Sequence, residues 1–344
     1  MSNITHRNHY VSQAFLRRWS EEGVNVWGYE ILVPHANVPL WRRRAISGIG
    51  YHNDLYTSSE AGREIDDFEH WINKEYEQPA FDPIGKLVAG RRVSASDWHR
   101  IARFVAAQDL RTPVNFLEFK NLYDEHAPKI LDQLVEEFVR FRNAGLPLIE
   151  SAPPPPGFAE ALRVRVVPTL GPKPRQLEAQ VEVASRKLWL ASQRHALSNC
   201  AAVLCDYRWS VATPHSNEEW PLTDHPVLRL NWYKPGQYDF GGGWGNKGTE
   251  IMMPISPRQL LYLKVGTKSE SRFMFSQEHT RLVQRLLAER AHRWIFARNP
   301  EPWVAEVRPR AVDEVLFLAE QNAWSRWRGE QLQAEAQIAT NGPR

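Results

Sequence analysis

The first residues with the chemistry for a site lie in the stretch RNHYVSQAFLRRW, residues 7–19, where His9, Gln13 and Arg17 are spaced four apart. On a helix, residues four apart share a face, so these three side chains would form a polar stripe beside an apolar one. A histidine in such a stripe can serve as a general acid or base. The spacing therefore predicts either a solvent-exposed helix or one wall of a site.

A second pair of polar residues ends a predicted helix over residues 95–111, whose start is marked by a capping box at Ser94. Gln108 and Arg111 follow Ile101 and Phe104 by seven residues, so they continue the apolar face of that helix inward. The charge of a buried arginine cannot be removed, so it needs an anionic partner, a cluster of carbonyl groups or a ligand. This placement makes both residues candidates for a site.

The segment LTDHPV places an acidic residue, Asp224, at the end of a predicted strand. Pro226 restricts the backbone that follows, so the carboxylate is held at a defined angle and could face a cleft at the sheet edge. The alternative is an aspartate that caps a turn through its own backbone. An ion pair between Asp224 and Arg111 would account for both charges at once.

Another grouping of chemically active residue types predicts no site. Asp109, Glu118 and Lys120 are the residue types of a metal-dependent nuclease. Such sites place their acidic groups on adjacent strands, whereas these three lie on predicted helices on either side of Pro113.

The glycine-rich loop at 241–248 lacks the lysine and hydroxyl residue that end a phosphate-binding P-loop. We expect no metal and no cofactor.

The composition is that of a globular protein, with 42% apolar and 24% charged residues among 344. A formal net charge of +3 gives no strong signal for a polyanion, and the basic patch WRRRA at 41–45 is most simply a solvated strand edge or turn. No window reaches the roughly 18 to 20 apolar residues that cross a bilayer. We therefore expect a soluble, cytoplasmic protein that does not engage membranes.

The order of elements predicts an α+β fold in which a mainly helical region packs on a small, largely antiparallel sheet. Residues 1–142 form an N-terminal region of short strands and then helices, in which Pro79 and Pro83 interrupt a helical segment over 63–89. The remaining segments are a Pro-rich loop or linker at 143–176, a C-terminal region at 177–330 in one domain with the first, and a disordered tail at 331–344. Within the C-terminal region we predict helices over 177–204 and 276–298, with short strands between them.

Five segments, in this order, resemble the uncharacterised family named domain of unknown function 4238: HYVSQAFLRRW, NDLYT, IARFVAAQDLRTP, LTDHPV and IMMPISP. This chain has Ser12 where the family usually has proline. The resemblance implies a bacterial or phage-borne protein of unassigned activity. By matching positions it singles out His9, Gln13, Gln108, Arg111 and Asp224.

These residues together predict a polar cleft that hydrolyses phosphodiesters of RNA or DNA. In this hypothesis His9 is the general acid or base, Arg111 the anion clamp, Asp224 the group that orients one of them, and Gln13 and Gln108 position the substrate. The alternative is a non-enzymatic module that binds an anionic ligand or a partner protein, for which phage defence is one setting. A third interpretation is purely structural, a buried ion pair that holds helices on the sheet.

Overall fold

The structure, a computed structural model, describes residues 4–60, 63–144, 155, 157–158, 161–168 and 177–340. Its α-helices span Gln13–Leu16, Asp67–Ile72, Gln78–Val88, Ala95–Leu110, Pro113–Asn143, Ser185–His195, Ala202–Cys205, Gln277–Arg290, Pro302–Val307 and Glu314–Thr340. Tighter 3₁₀ turns lie at Arg17–Trp19 and Ile46–Gly48, and wider π-helical stretches at Asn73–Glu77 and Ala196–Cys200. With about 47% helix and 22% strand, the α+β class is confirmed.

Two sheets contain most of the longer strands. The larger has six, in the spatial order Gln237–Asp239, Leu228–Lys234, Glu250–Ser256, Gln259–Lys264, Ser210–Thr213 and Arg272–Met274, and only its last pair is parallel. The other is antiparallel, in the order Leu222–Thr223, Trp294–Ala297, Asn25–Glu30 and Trp41–Ala45. The described strands are thus mostly antiparallel as predicted, but the sheet structure is more extensive than a small sheet.

The remaining described strands form two-stranded pairs: Arg7–His9 with Tyr51–Asn53, Leu32–Val33 with Ala311–Val312, Ser58–Glu60 with Arg63–Ile65, and Leu162–Pro168 with Leu177–Val183. The last pair corrects the helix predicted over 177–204, which begins only at Ser185. The seven residues 177–183 are opposite the seven residues 162–168, and this ladder pairs the backbone polar groups that the two strands direct toward each other. Within the predicted Pro-rich loop, residues 145–154, 156, 159–160 and 169–176 lie outside the described residues.

The helix predicted over 276–298 also ends early, at Arg290. Residues Trp294–Ala297 form a strand between two others in the four-stranded sheet. Their run of aromatic and β-branched side chains suits a buried strand better than a basic helix. This change of direction after Arg290 brings the segment 291–294 beside the end of the strand Leu222–Thr223.

One cluster of buried side chains includes residues from both halves of the chain. Phe15 and Phe104 from the N-terminal region belong to it together with Trp189, Ile251 and Phe296 from the C-terminal region. Burial of such large side chains contributes roughly 1.5 to 3 kcal/mol each. The helices of the first region are therefore held on the strands of the second by shared apolar packing.

The helix Glu314–Thr340, which we call the C-terminal helix, corrects the disordered tail predicted for 331–344 over residues 331–340. Gln331 and Glu335 on this helix are buried, and both are bonded to Arg186. A buried charge pair of this kind fixes a segment that composition alone would leave in water. Residues 341–344 lie outside the described residues, and no helix in the described part is both long and apolar enough to cross a membrane.

Candidate functional site

The N-terminal motif forms a strand and a short helix, not one continuous helix. His9 ends the strand Arg7–His9, and the helix begins only at Gln13. Ser12, the residue at the family's proline position, caps this helix by accepting a hydrogen bond from the amide of Phe15 at 3.3 Å. The predicted polar stripe is therefore not a helical stripe. His9 and Gln13 still meet, with their Nε2 atoms 3.4 Å apart.

The prediction that Gln108 and Arg111 point inward is confirmed, because their side chains are 0% and 1% exposed. Arg111 donates to the carboxylate of Glu77 and to the carbonyl oxygen of His9, and it lies 3.7 Å from Oε1 of Glu69. Gln108 donates to the same oxygen of Glu77 at 3.4 Å. We call Glu69, Glu77, Gln108 and Arg111 the arginine cluster.

The carboxylate of Glu77 reaches Arg111 from a local irregularity in the backbone. The helical segment from 67 to 88 changes to a π-helical stretch at Asn73–Glu77, just before Pro79. Pro79 lacks the amide that would continue regular hydrogen bonding, so the interruption predicted for Pro79 occurs here. The interruption predicted for Pro83 is wrong, because the helix Gln78–Val88 continues through it. Glu77 at the end of this stretch is buried, and the extra residue of the wide turn changes the direction in which it points.

Burial sets the protonation of two groups around Arg111. Burial raises the pKa of Glu69 to about 7, although the nearby charge of Arg111 opposes that rise. Burial, with a further contribution from Arg111, lowers the pKa of His9 to about 4. His9 is therefore an uncharged imidazole at neutral pH.

Asp224 lies away from the arginine cluster, and the predicted ion pair between Asp224 and Arg111 is wrong. Its Oδ1 accepts from the amide of His292 at 2.8 Å, and its Oδ2 from the amides of Arg293 and Trp294 at 2.7 and 3.0 Å. Strand pairing explains this contact, because Thr223 is opposite Ile295 and the next residue therefore reaches the segment 292–294. Three amide donors satisfy a buried carboxylate without a cation.

Asp224 instead lines a cavity of about 420 Å³, which we call the Asp224 cavity. Most of its lining comes from three parts of the chain: the strand Tyr51–Asn53, the segment 292–294 and the C-terminal helix. The lining residues with chemistry of interest are Tyr10, His52, Asp224, His292, Trp324 and Arg328. This volume falls within the range of small-molecule sites in proteins.

Three titratable side chains in the Asp224 cavity stay uncharged at neutral pH. Burial lowers the pKa values of His52 and His292, and it raises the pKa of Tyr10, to which the charge of Asp224 adds. Burial also raises the pKa of Asp224, against the effect of its three amide donors and of His292. The cavity thus offers two neutral imidazoles, which accept protons, and a phenol that donates hydrogen bonds.

The cations of the Asp224 cavity differ in how fully they are paired. Arg293 donates to both carboxylate oxygens of Glu320, with Nε at 3.0 and 2.7 Å. Arg328 has one acidic neighbour in the described part of the chain, Asp54, with Nη1 3.8 Å from Oδ2. Its side chain is 37% exposed, so its donors remain accessible to an anion.

His9 and Gln13 do not line the Asp224 cavity, but His9 adjoins it. The strand pair places His9 directly opposite Tyr51, and their rings are 5.6 Å apart. Tyr51 is one of the lining residues. The structure thus brings His9, Gln13, Gln108 and Arg111 into one connected network and places Asp224 in the neighbouring cavity.

Each acidic group of the nuclease-like set is paired with an arginine in the structure. Asp109 pairs with Arg229 at 3.2 Å, and Glu118 with Arg290 at 3.1 Å. Over the residues that the structure describes, no three His, Cys, Asp or Glu side chains are grouped so that they could hold a metal ion.

Sequence reasoning missed most of the lining residues of the Asp224 cavity. Tyr10 lies inside the motif HYVSQ, next to His9, but its residue type and spacing do not mark it as a site residue. His52 directly precedes the motif NDLYT, and His292 fell inside a helix predicted too long. Arg328 lies on a helix with no recognisable motif, so nothing in the sequence marks it as a lining residue.

The fold and the cavity define an α+β protein with a small-molecule-sized pocket enclosed by residues distant in sequence. Over residues 7–301 the chain matches the family described as protein of unknown function (DUF4238), and it belongs to that family. No curated protein and no solved structure matches the chain. The family match ends before the C-terminal helix begins at Glu314.

Proposed function

We propose that the protein is a phosphodiesterase that acts on nucleic acid or its nucleotides, with the Asp224 cavity as the site of reaction. The observation that carries this proposal is the presence of neutral His292 in the same cavity as Arg328, a cation with accessible donors. Hydrolysis of a phosphodiester needs a base for water and a cation for the phosphoryl oxygens. The aromatic side chains of the cavity suit the bases of such a substrate.

In this mechanism His292 takes a proton from water as the water oxygen forms its bond to phosphorus. The bond from phosphorus to the leaving oxygen breaks, and the imidazolium returns its proton to that oxygen. Arg328 donates to the non-bridging oxygens, on which charge increases in the transition state. The phenol of Tyr10 remains protonated and donates a hydrogen bond to a non-bridging oxygen of the phosphoryl group.

Asp224 acts in this mechanism as a positioning residue. Its carboxylate holds the amides of 292–294, and so it fixes the backbone that carries His292. This role retains the orienting function predicted for Asp224 but gives it a different partner. Arg111 is assigned a structural role, because its guanidinium is buried and donates to Glu77 and to the backbone of His9.

The proposal is tested by hydrolysis of bis-p-nitrophenyl phosphate and of single-stranded RNA by the full chain. Loss of a general base typically costs roughly 100- to 10,000-fold in rate, so His292→Gln is expected to lose at least about 100-fold. His126→Gln, an exposed histidine on the helix Pro113–Asn143, is the matched control and should retain full activity.

His9→Gln distinguishes the two possible locations of the reaction. Because His9 does not line the cavity, this variant is expected to keep most of the activity. A large loss in His9→Gln together with full activity in His292→Gln would move the reaction to His9. No turnover of any phosphodiester by the unaltered chain would remove the proposal.

The second candidate is a module that binds an anionic ligand without turnover. The observation in its favour is that two carboxylates of the cavity are already neutralised, Glu320 by Arg293 and Glu30 by Arg44 at 2.7 Å. Saturable nucleotide binding without hydrolysis would support it. We propose a cytoplasmic location for both candidates, since nucleic acids and nucleotides are abundant in the cytoplasm.

A further inference from the structure

The C-terminal helix presents one continuous face to the Asp224 cavity. The residues of that face are Phe317, Glu320, Gln321, Trp324, Ser325 and Arg328. Their spacing of three and four residues is that of a single helical stripe. One helix thus supplies a large part of the lining, and it lies beyond the family match that ends at residue 301.

This helix is anchored at two points, one within its cavity-facing stretch and one beyond it. Within the stretch, both carboxylate oxygens of Glu320 accept from Nε of Arg293. Beyond it, Glu335 forms a fully buried ion pair with Arg186. Side chains on an element held at two points lose little further freedom on binding, which favours a preorganised binding face.

Within that face, Trp324 and Arg328 are placed to recognise two different parts of one ligand. The ring of Trp324 packs 4.1 Å from the ring of His52, and the tryptophan remains partly exposed where it lines the cavity. Arg328 follows one turn later, about 6 Å along the helix axis. An aromatic platform next to an accessible cation is the arrangement that binds the base and the phosphate of a nucleotide.

We infer that Trp324 and Arg328 select a nucleotide in this cavity, Trp324 by stacking on the base and Arg328 by pairing with the phosphate. The inference rests on the proposed function and specifies the parts of the substrate that the site recognises, a base and a phosphate. Since both residues lie outside the matched family region, this selectivity belongs to the C-terminal helix. Arg328 then serves both in binding the phosphate and in the reaction, whereas Trp324 serves in binding alone.

The test is isothermal titration calorimetry of the full chain with 5′-AMP, adenosine and ribose 5-phosphate. AMP is expected to bind at least about tenfold more tightly than either fragment, because only AMP engages both residues. Arg328→Gln should weaken AMP at least about tenfold and leave adenosine unchanged. Arg326→Gln, an exposed arginine on the same helix, is the matched control and should leave all three affinities unchanged.

The stacking part of the inference has its own pair of variants. Trp324→Leu should weaken AMP and adenosine alike, whereas Trp324→Phe retains an aromatic face and should restore most of both affinities. Circular dichroism and urea unfolding of each variant show whether the helix is retained. Equal loss in the two tryptophan variants with the fold intact would overturn the stacking role.

Two outcomes would overturn the inference as a whole: equal binding of AMP and its fragments, or an AMP affinity in Arg328→Gln that matches Arg326→Gln. AMP binding without hydrolysis of any phosphodiester by the unaltered chain removes the proposed function and retains this inference. Phosphodiester hydrolysis that depends on His292 and Arg328, together with equal binding of AMP and its fragments, does the reverse. If a 5′-phosphorylated oligonucleotide competes with AMP and the unphosphorylated oligonucleotide does not, the occupant is the 5′ end of a strand. If AMP binds and neither oligonucleotide competes with it, the occupant is a free nucleotide.

Discussion

Arg186 and Glu335 form a two-point ion pair in which neither side chain is exposed, with Nε to Oε1 at 2.8 Å and Nη2 to Oε2 at 2.7 Å. The second oxygen also accepts from the amide of Ser59 at 2.7 Å. Charges so fully removed from water are stable only when both partners and their hydrogen bonds are present. The pair therefore fastens the C-terminal helix to the body of the protein and fixes one side of the Asp224 cavity.

Removal of one charge from this pair should be strongly destabilising. Glu335→Gln leaves Arg186 buried without a counter-charge, and we expect the free energy of unfolding to fall by about 3 to 5 kcal/mol. Urea unfolding followed by circular dichroism measures this change. Glu330→Gln, at an exposed position on the same helix, is the control and should change the value by less than about 0.5 kcal/mol.

Replacement of both partners should restore most of the loss. In Arg186→Met with Glu335→Leu, no charge remains buried, and apolar pairs of similar volume often equal or exceed a buried ion pair in stability. A double variant as unstable as Glu335→Gln would show that shape and hydrogen bonding at this site matter more than charge.

Asp224 should stabilise the segment 292–294 by accepting its three amides. Asn at this position offers one acceptor oxygen, and its amino group would face a backbone donor, so Asp224→Asn should cost about 2 to 3 kcal/mol. Amide hydrogen exchange at 292–294 should become faster in parallel. The exposed Asp206→Asn serves as control, and unchanged exchange in Asp224→Asn would contradict the positioning role.

Arg111 should be coupled energetically to Glu77 and not to Asp224. Arg111→Met removes the cation beside Glu77 and is expected to cost about 3 to 5 kcal/mol, whereas the exposed Arg92→Met should have little effect. In double-mutant cycles, Arg111→Met with Glu77→Gln should deviate from additivity by at least 0.5 kcal/mol, as expected for residues in contact. Additive effects for that pair would contradict the contact between Arg111 and Glu77. Coupling of Arg111→Met to Asp224→Asn would instead support the ion pair expected from the sequence.

Local patterns in the sequence predict some features of the candidate site correctly. The helical repeat that buries Ile101 and Phe104 also places Gln108 and Arg111 inward, because residues seven apart lie on the same face of a helix. The capping box at Ser94 is formed for the same local reason, with 3.1 Å between its hydroxyl and the amide of Asp97.

The partners of those residues depend on contacts between distant segments, which no local pattern contains. Arg111 and Glu77 meet because the π-helical stretch Asn73–Glu77 contains one more residue in its turn than an α-helix would. That extra residue changes the direction in which the side chain of Glu77 points. Asp224 meets 292–294 because the chain turns out of a helix at Arg290 and pairs as a strand. The cavity depends in addition on the position of the C-terminal helix. Glu335 holds this helix in place through a buried ion pair, but in the sequence it resembles an ordinary surface charge.

The pKa of Glu69 gives the arginine cluster a pH dependence with a definite sign. Its folded pKa of about 7 exceeds the ordinary value of 4.5, so between these values the folded chain holds a proton that the unfolded chain has lost. The contribution of Glu69 is therefore complete below pH 4.5 and is lost as the pH rises through 7. The largest effect of such a shift is about 3 kcal/mol.

Glu69→Gln isolates this contribution, because an amide keeps the shape of the neutral acid and does not titrate. The difference in unfolding free energy, unaltered chain minus variant, should decrease by up to about 3 kcal/mol between pH 4.5 and 8. His9, whose lowered pKa of about 4 removes stability on the acid side, is present in both proteins and cancels in that difference. Urea unfolding at intervals of pH measures it. A difference that instead grows with pH would mean that Glu69 is held as a carboxylate by Arg111, with the ion pair stronger than the cost of burial.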